Sequence, residues 1–387
     1  KKKFTIIMPP PNVTGTLHIG HALNMTLQDI LSRYWRMNNK DVLWQPGTDH
    51  AVIATQNVVE KNLLKEKKLN KHQIGKDKFI NEIWKWKEIS GEIINNQIKK
   101  IGASPDWNRS KFTLDKDMSD AVNYAFIDLY KKGLIYKDKR LINWDIKLQT
   151  AISDLEVEQR EKEGSFVYIK YYIKDSKKYI LVATTRPETL FGDSCIAVNP
   201  KDSRYKKLVG KKVRIPLTER LIPIISDQYV DSTKGSGALK VTPAHDFNDY
   251  LIGKKHNLKY FSVFNKSGKL NKNVPKKYIG IDRIVSREMI CNDLKINGYL
   301  YKIKKIKHKV PYGDRSGSII EPYLTDQWFL NVKELSRIAV KKVKNNKTKF
   351  YPSSWTKTFY TWMKDIEPWC ISRQIWWGHR LPIWYGP

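Results

Sequence analysis

The chain has 387 residues, which at roughly 150 residues per domain predicts two or three domains. Hydrophobic residues make up 41% of the sequence and aromatic residues 12%, so the chain can fill a core and is not intrinsically disordered. Its apolar runs are far shorter than the ~20 residues that a membrane-spanning helix needs, and prolines from Pro9 onward follow the first run too closely for a signal peptide. We therefore expect no membrane partner.

The net charge is +32, from 71 Lys and Arg against 39 Asp and Glu. Such a balance is typical of proteins that bind polyanions, above all nucleic acids, although a low-GC genome would also enrich lysine. The three cysteines, Cys195, Cys291 and Cys370, form no Cys-x-x-Cys pair. We therefore expect no disulfide framework, no zinc or other metal site, and a location in the reducing cytoplasm.

The first part of the chain predicts a nucleotide-binding α/β unit. The sequence predicts a short, fully buried strand over residues 4–8, followed by a turn rich in Pro and Gly. It predicts a second strand over residues 41–44. The helix predicted between these strands has an apolar face formed by Leu23, Leu27, Leu31 and Tyr34. Two more amphipathic helices are predicted over residues 73–100 and 117–133. A strand, a tight loop and a helix in this order are typical of the opening of such a fold.

After about residue 155 the pattern changes, and short β-like runs alternate with Gly, Pro, Asp and Asn. These runs cover residues 166–173, 179–184, 213–215, 221–225, 238–242 and 260–264. They predict a β-rich domain inserted into the α/β chain, so we expect domains over residues 1–154, 155–330 and 331–387. In the last domain helical character returns, and we expect most of the tryptophans between residues 369 and 386 to pack in the core.

Two histidines, His18 and His21, stand at the predicted start of the first helix, three residues apart and so on one face of its first turn. A helix N-terminus favours anions, and two imidazoles there can donate hydrogen bonds to a phosphate and stabilise developing charge. Gly20 between them lets a nucleotide approach closely because it has no Cβ. Taken alone, such a pair is more often a pair of surface or capping histidines.

The residues around the two histidines are more specific. The run PPPNVTGTLHIGHALNMTLQD resembles the first signature of the class I aminoacyl-tRNA synthetases. The segments PPPNVTG and WQPGTDHAVIATQ are similar to the valyl-tRNA synthetase branch of that family, except at Val52, where the family usually has Gly. The resemblance covers nearly the whole chain. It implies an α/β fold in which a Rossmann-type catalytic domain, here partial, is interrupted by a β-rich, β-barrel-like editing domain.

By this resemblance, Pro9, Asn12, Gly20 and Asp49 bind valine and its adenylate. An aspartate in a largely apolar pocket can pair with the substrate ammonium, and a run of prolines gives the pocket a rigid wall. The resemblance further implies ATP with Mg²⁺ as the second substrate, and a catalytic role for the two histidines during attack on the α-phosphate. The family's second signature, Lys-Met-Ser-Lys-Ser, is absent from the sequence. Because the chain also starts at Lys1, we expect it to be a fragment that is incomplete for aminoacylation.

Two segments of the predicted insertion resemble the editing domain of valyl-tRNA synthetases. They are TTRPET from Thr184 and GSGALKVTPAHDFNDY from Gly235. In the second segment, Asp246 and Asp249 are three residues apart at a predicted helix start, where simple capping is the alternative. The resemblance implies that these two aspartates engage the ammonium of the mischarged amino acid. It also implies that the residues that help to bind and hydrolyse it are Arg186, Thr189, Lys240 and Thr242.

The resemblance thus implies the activity of a valine–tRNA ligase that uses valine, ATP and tRNA(Val) and hydrolyses mischarged threonyl-tRNA(Val). We expect it to act as a monomer. The nearest alternative is an isoleucyl-tRNA synthetase, which shares the fold and the chemistry. Two others are a non-catalytic tRNA-binding relic of a synthetase, and an unrelated nucleotidyltransferase that would explain the histidines but not the insertion.

Overall fold

The structure is a computed structural model that describes residues 2–386. Its α-helices are α1 (Ile19–Met37), α2 (Val52–Lys67), α3 (Lys71–Ile74), α4 (Lys76–Lys100), α5 (Lys116–Lys131), α6 (Phe247–Lys255), α7 (Arg283–Ile296), α8 (Lys333–Lys344) and α9 (Trp355–Lys364). Its strands are β1 (Lys3–Ile7), β2 (Asp41–Gln45), β3 (Gly47–Thr48), β4 (Lys111–Phe112), β5 (Ile135–Asp145), β6 (Thr150–Ala151), β7 (Val157–Tyr172), β8 (Tyr179–Thr184), β9 (Cys195–Val198), β10 (Lys212–Arg214), β11 (Leu221–Ser226), β12 (Ala238–Val241), β13 (Leu300–Gly313), β14 (Glu321–Leu330) and β15 (Trp369–Cys370). Of the helices in this described range, none has the length and apolar character that crossing a membrane would require.

The chain forms two compact units. The first contains residues 2–136, 330–368 and 374–386, and the second contains residues 137–329 and 369–373. Both mix helices and strands, which confirms the expected mixed α/β composition.

The first unit opens with the predicted strand, loop and helix. Strand β1 pairs in parallel with β2, in a register that places Lys3 opposite Asp41 and Ile7 opposite Gln45, and α1 makes the crossover between them. The prediction of a fully buried first strand was wrong, because burial alternates along β1 and Ile7 is 75% exposed. Within residues 2–386, β2 is the sole strand paired with β1.

A second feature of the first unit is its aromatic core. Trp44 and Phe79 are fully buried, and Trp377 from the C-terminal segment packs into the same cluster. The indole N–H of Trp377 donates to the carbonyl of His50 at 2.8 Å. The expectation that most tryptophans of 369–386 are core residues was only half right, since Trp369 and Trp384 are exposed.

The second unit is built from three sheets. Strand β7 pairs antiparallel with both β8 and β13, while the other two sheets have the orders β10-β11-β9-β12 and β15-β14-β5-β6. Side chains from the first two of these sheets share one apolar core with helix α7. The sheets are open in their hydrogen bonding, so closure into a β-barrel stays a prediction.

Five of the six predicted β-like runs lie in strands, and one does not. Residues 260–264 have no strand conformation beyond a single bridge from Phe264 to Leu270. Val263 in this run is fully buried, and its N–H donates to the ring of His245 at 2.9 Å instead of to a neighbouring strand. The apolar character of the run therefore reflects burial rather than strand pairing.

Candidate functional site

The two histidines of the first motif form the start of helix α1. His18 is the N-cap residue, and its Nδ1 accepts the N–H of Gly20 at 3.1 Å. The ring of His21 accepts the N–H of His18 through its own Nδ1 at 3.3 Å, and the two ring centroids are 3.9 Å apart. Since both Nδ1 atoms accept hydrogen bonds, each neutral ring carries its proton on Nε2. Burial, and secondarily the neighbouring His18, lower the pKa of His21, which favours this neutral donor form.

A cavity of about 410 Å³ lies beside these rings. Its lining residues are Pro9, Pro10, Pro11, Asn12, His18, Gly20, His21, Asn24 and Met25. Asp49 is absent from this lining, although it lies next to the Pro run: its N–H donates to the carbonyl of Pro11 at 2.8 Å. The Asp49 carboxylate accepts the N–H of Ala51 at 2.7 Å. The structure thus places five of the six predicted activation residues around one cavity, and the sixth, Asp49, at its margin.

In the second unit, a buried cluster surrounds Lys240. Its ammonium donates to Thr189 Oγ1 at 2.8 Å, to Thr242 Oγ1 at 2.6 Å and to Asp193 Oδ1 at 2.9 Å. All three N–H donors of the lysine are therefore used, and the four side chains are almost completely buried. The structure brings together three of the four predicted editing-pocket residues.

Asp193 is the member of this cluster that the sequence motifs did not indicate. Its second oxygen accepts the hydroxyl hydrogen of Tyr171 at 2.6 Å, and Thr242 Oγ1 donates to its first oxygen at 2.8 Å. Burial, and then the Asp193 charge, raise the pKa of the Tyr171 phenol well above its ordinary value. In the sequence, Asp193 follows Gly192 and is indistinguishable from an ordinary turn residue, so no local signal could have identified it.

The two aspartates of the second motif have different environments. Asp246 is exposed and caps helix α6, accepting the N–H groups of Asn248 at 2.8 Å and Asp249 at 3.0 Å. Asp249 is buried, and its carboxylate accepts the N–H of Thr242 at 2.8 Å. Burial, and secondarily the Asp246 charge, raise the pKa of Asp249 to about 7. The capping alternative is thus realised at Asp246, whereas Asp249 connects the helix to the Lys240 cluster.

Arg186 lies at the centre of a separate ion-pair network. Its guanidinium donates to both oxygens of Glu321, at 2.6 and 2.8 Å, and to Glu188 at 3.1 Å. Burial disfavours its charge, but Glu321 and Glu188 together raise its pKa above the ordinary arginine value. The same guanidinium donates to the carbonyl of His245 at 3.0 Å, so it fixes the backbone immediately before Asp246.

A second cavity, of about 650 Å³, lies within this unit. Arg186 and Asp246 line it, together with Glu188, His245 and Glu321. Thr189, Lys240, Thr242 and Asp249 do not line it. The predicted editing residues therefore divide into two that line the cavity and four that form a buried cluster.

Over residues 2–386 no group of three or more His, Cys, Asp or Glu side chains could hold a metal ion. The absence of zinc stays a prediction.

Comparison with known proteins adds to this geometry. The family model for class I tRNA synthetases (I, L, M and V) matches residues 1–387. The chain belongs to this family. The unrelated nucleotidyltransferase is thereby excluded.

Similar curated proteins of this family are valine–tRNA ligases. The chain is 57% identical over 387 residues to the valine–tRNA ligase of Pelagibacter ubique, covering 100% of this chain and 44% of that protein. It is 52% identical over 385 residues to the valine–tRNA ligase of Francisella tularensis, covering 100% of this chain and 42% of that protein. The chain thus spans less than half the length of these relatives.

A solved structure of the LeuRS of Agrobacterium radiobacter K84, in a ternary complex with tRNA and LeuAMS, overlaps 80% of this chain and 45% of that one. Its identity of 19% and TM-score of 0.37 are too low to carry an argument.

Proposed function

We propose that the protein containing this chain is a valine–tRNA ligase, which activates valine with ATP, transfers it to tRNA(Val) and hydrolyses threonyl-tRNA(Val). The observation that carries the editing part is the buried cluster of Lys240, Thr189 and Thr242, joined through the Thr242 N–H to Asp249. The names of the similar proteins support valine over isoleucine as the amino acid. In this proposal, a Rossmann-type catalytic domain is interrupted over residues 155–330 by a β-barrel-like editing domain.

For activation, the useful groups are the two Nε2–H donors beside the first cavity. ATP presents phosphate oxygens, and His18 and His21 would donate to them where charge develops as the valine carboxylate attacks the α-phosphate. Gly20 leaves the approach to these rings open. Mg²⁺ is held mostly by nucleotide phosphates and water in such reactions, so the chain need not supply a dedicated cage of ligands. Asn12 and Asp49 would orient the amino acid.

A second, hydrolytic site is needed because valine and threonine have nearly the same shape. An apolar pocket rejects the added hydroxyl of threonine by only about 100-fold, a limit established for valyl-tRNA synthetases themselves. A polar pocket can instead bind that hydroxyl. Valine would leave such a pocket with unpaired buried groups, so correctly charged tRNA is spared.

For editing, the cavity-facing Asp246 would pair with the ammonium of the threonyl ester, while Arg186 holds the backbone beside it. The buried cluster would fix the position of Asp249 through the Thr242 N–H. An ionised Asp249 can accept a hydrogen bond from a water or from the substrate, which its protonated form does less well.

The test is incubation of this chain with threonyl-tRNA(Val) and, as control substrate, valyl-tRNA(Val). We expect hydrolysis of the threonyl ester alone, and loss of hydrolysis in the Asp249→Ala variant. A folded chain that binds tRNA but hydrolyses neither ester would support the non-catalytic relic instead.

For the amino acid, ATP–pyrophosphate exchange by the full-length protein should prefer valine, and a preference for isoleucine would contradict the proposal. A monomer in the cytoplasm is part of the proposal, and size-exclusion chromatography of the full-length protein checks its oligomeric state.

A further inference from the structure

A buried tyrosine, Tyr171, lies behind the Lys240 cluster. Val167, Ile169 and Tyr171 alternate along β7, and all three side chains belong to the apolar core of the second unit. A phenol hydroxyl in such a core needs a hydrogen-bond partner, and the partner of Tyr171 is the carboxylate of Asp193, at 2.6 Å. Both side chains are completely buried, so bulk water reaches neither of them.

The backbone of Asp193 is held independently of its side chain. One nitrogen of the Arg220 guanidinium donates to the carbonyls of Phe191, at 2.6 Å, and of Asp193, at 2.8 Å. The same guanidinium lies 4.1 Å from the ring centroid of Phe261. With the main chain fixed in this way, the freedom that remains to Asp193 is rotation of its side chain, and the Tyr171 hydroxyl restrains that rotation from the core side.

The two oxygens of the Asp193 carboxylate bind different partners. Oδ2 accepts the hydroxyl hydrogen of Tyr171, whereas Oδ1 accepts from Lys240 at 2.9 Å and from Thr242 Oγ1 at 2.8 Å. Without the phenol hydroxyl, Oδ2 would be a buried carboxylate oxygen that lacks a donor, which is unfavourable enough to turn the group towards another donor. Because the two oxygens move together, that rotation would withdraw Oδ1 from Lys240 and Thr242.

The cluster transmits the position of Asp193 towards the predicted hydrolytic residues. Thr242, which follows β12 directly, carries the main-chain N–H that donates to Asp249 at 2.8 Å. Lys240, two residues earlier, also donates to Thr189 Oγ1 at 2.8 Å. A continuous series of hydrogen bonds thus runs from the core of the unit to Asp249. Such support decides how closely a reactive group keeps its productive geometry.

We propose that Tyr171 is a positioning residue for the hydrolysis of threonyl-tRNA(Val), because its hydroxyl orients Asp193 and thereby sets the positions of Lys240 and Asp249. The proposal rests on the proposed function for the identity of the reaction, whereas the link from Tyr171 to Lys240 can be tested without it.

This role concerns turnover rather than substrate binding. Tyr171 is not among the residues that line the second cavity, whereas Arg186 and Asp246 are. Neither of these two cavity residues is hydrogen-bonded to Tyr171 or Asp193, so their contacts with substrate should survive loss of the phenol hydroxyl. We therefore expect a change in kcat with KM preserved, which is the signature of a reacting group that has lost its alignment.

The experiment compares Tyr171→Phe with Tyr278→Phe in the whole chain. Tyr278 is a matched control: it is completely buried in the same apolar core, and its hydroxyl donates to the carboxylate of Asp293. That carboxylate pairs with Lys277 at 2.8 Å rather than with Lys240. Each substitution removes one tyrosine–carboxylate hydrogen bond and leaves the ring, so both variants should fold and both should lower the urea midpoint.

The two variants should differ in hydrolysis of threonyl-tRNA(Val). For Tyr171→Phe we expect kcat to fall by about 10- to 100-fold, with KM changed by less than about twofold. For Tyr278→Phe we expect both constants to change by less than about twofold. Equal losses of kcat in the two variants, or a loss confined to KM in Tyr171→Phe, would overturn the proposal.

A second measurement follows the Lys240 ammonium itself. A buried ammonium with three acceptors exchanges its protons with water slowly, so in a chain labelled with ¹⁵N-lysine its N–H resonance should persist where those of exposed lysines do not. The resonance that is missing from Lys240→Arg identifies it. Tyr171→Phe should accelerate this exchange, and Tyr278→Phe should leave it unchanged. An unchanged rate in Tyr171→Phe, or no protected resonance in the wild type, would overturn the proposal.

The two measurements separate this proposal from the proposed function. If the wild-type chain hydrolyses the ester and Tyr171→Phe matches the control in kcat, the positioning role fails and the proposed function stands. If the wild-type chain does not hydrolyse the ester, the proposed function fails, and proton exchange at Lys240 alone decides whether Tyr171 controls the cluster.

Discussion

The ammonium of Lys240 lies 2.9 Å from Asp193 Oδ1, and both side chains are buried. Replacing Asp193 by Ala would leave a buried ammonium without its counter-charge, which typically costs about 3–5 kcal/mol. We therefore expect the free energy of unfolding, from urea denaturation, to fall by that amount. The matched control is Glu219→Ala, which removes the exposed partner of Arg214 in the same unit and should change stability by less than about 1 kcal/mol. Equal effects of the two substitutions would contradict the buried pairing.

Asp249 predicts a dependence of stability on pH. Its pKa in the folded chain is about 7, above the ordinary value for an aspartate, so the folded state keeps this proton to higher pH than the unfolded chain does. The resulting stabilisation is full below the unfolded pKa and is lost as the pH rises through about 7. Between pH 5 and 8, the free energy of unfolding of the wild type should fall relative to that of Asp249→Asn. Parallel curves for the two proteins would refute the raised pKa.

The same carboxyl predicts the pH dependence of editing. If the ionised form of Asp249 is the active one, the rate of threonyl-tRNA(Val) hydrolysis should rise with pH and level off above about 7. Single-turnover rates between pH 5.5 and 8.5 measure this, and Asp249→Asn should be slow at every pH. A rate that falls over this interval would assign the active form to the protonated acid.

Gly20 is predicted to be essential for the position of the first histidine. A Cβ at residue 20 would lie 2.9 Å from Cε1 of the His18 ring, so Gly20→Ala must displace the ring. In the full-length protein, valine-dependent ATP–pyrophosphate exchange should slow by about 10- to 100-fold. Gly91→Ala is the control, because a Cβ at this helical position meets nothing within 4 Å and should leave exchange unchanged.

Trp377 is predicted to stabilise the first unit. It is 2% exposed, its ring lies 5.0 Å from that of Trp84, and its N–H bonds the carbonyl of His50. Trp377→Ala should lower the free energy of unfolding by about 3–5 kcal/mol. Trp384 is 85% exposed, so Trp384→Ala should change it by less than about 0.5 kcal/mol. A similar loss in both variants, measured by thermal unfolding, would contradict these placements.

Local patterns in the sequence indicated most of the elements and the motifs, because both depend on residues close together in the chain. The helix start at His18 and the two strands β1 and β2 on either side of the helix followed from such patterns. The partner of Lys240 did not, because Asp193 is 47 residues away and only the fold brings the two together. Burial of a given strand also depends on distant neighbours, which explains why the exposure of Ile7 was not foreseen.

The double role of His18 affects how its variants must be interpreted. The His18 ring caps the N-terminus of helix α1 and also carries an N–H donor. Replacement by alanine removes both the cap and the donor, so loss of activity in His18→Ala would not show which of the two is responsible. Asparagine keeps an acceptor for the Gly20 N–H but lacks the imidazole, which separates architecture from chemistry. Under the proposed function, the start of helix α1 and the activation reaction would thus depend on the same imidazole ring.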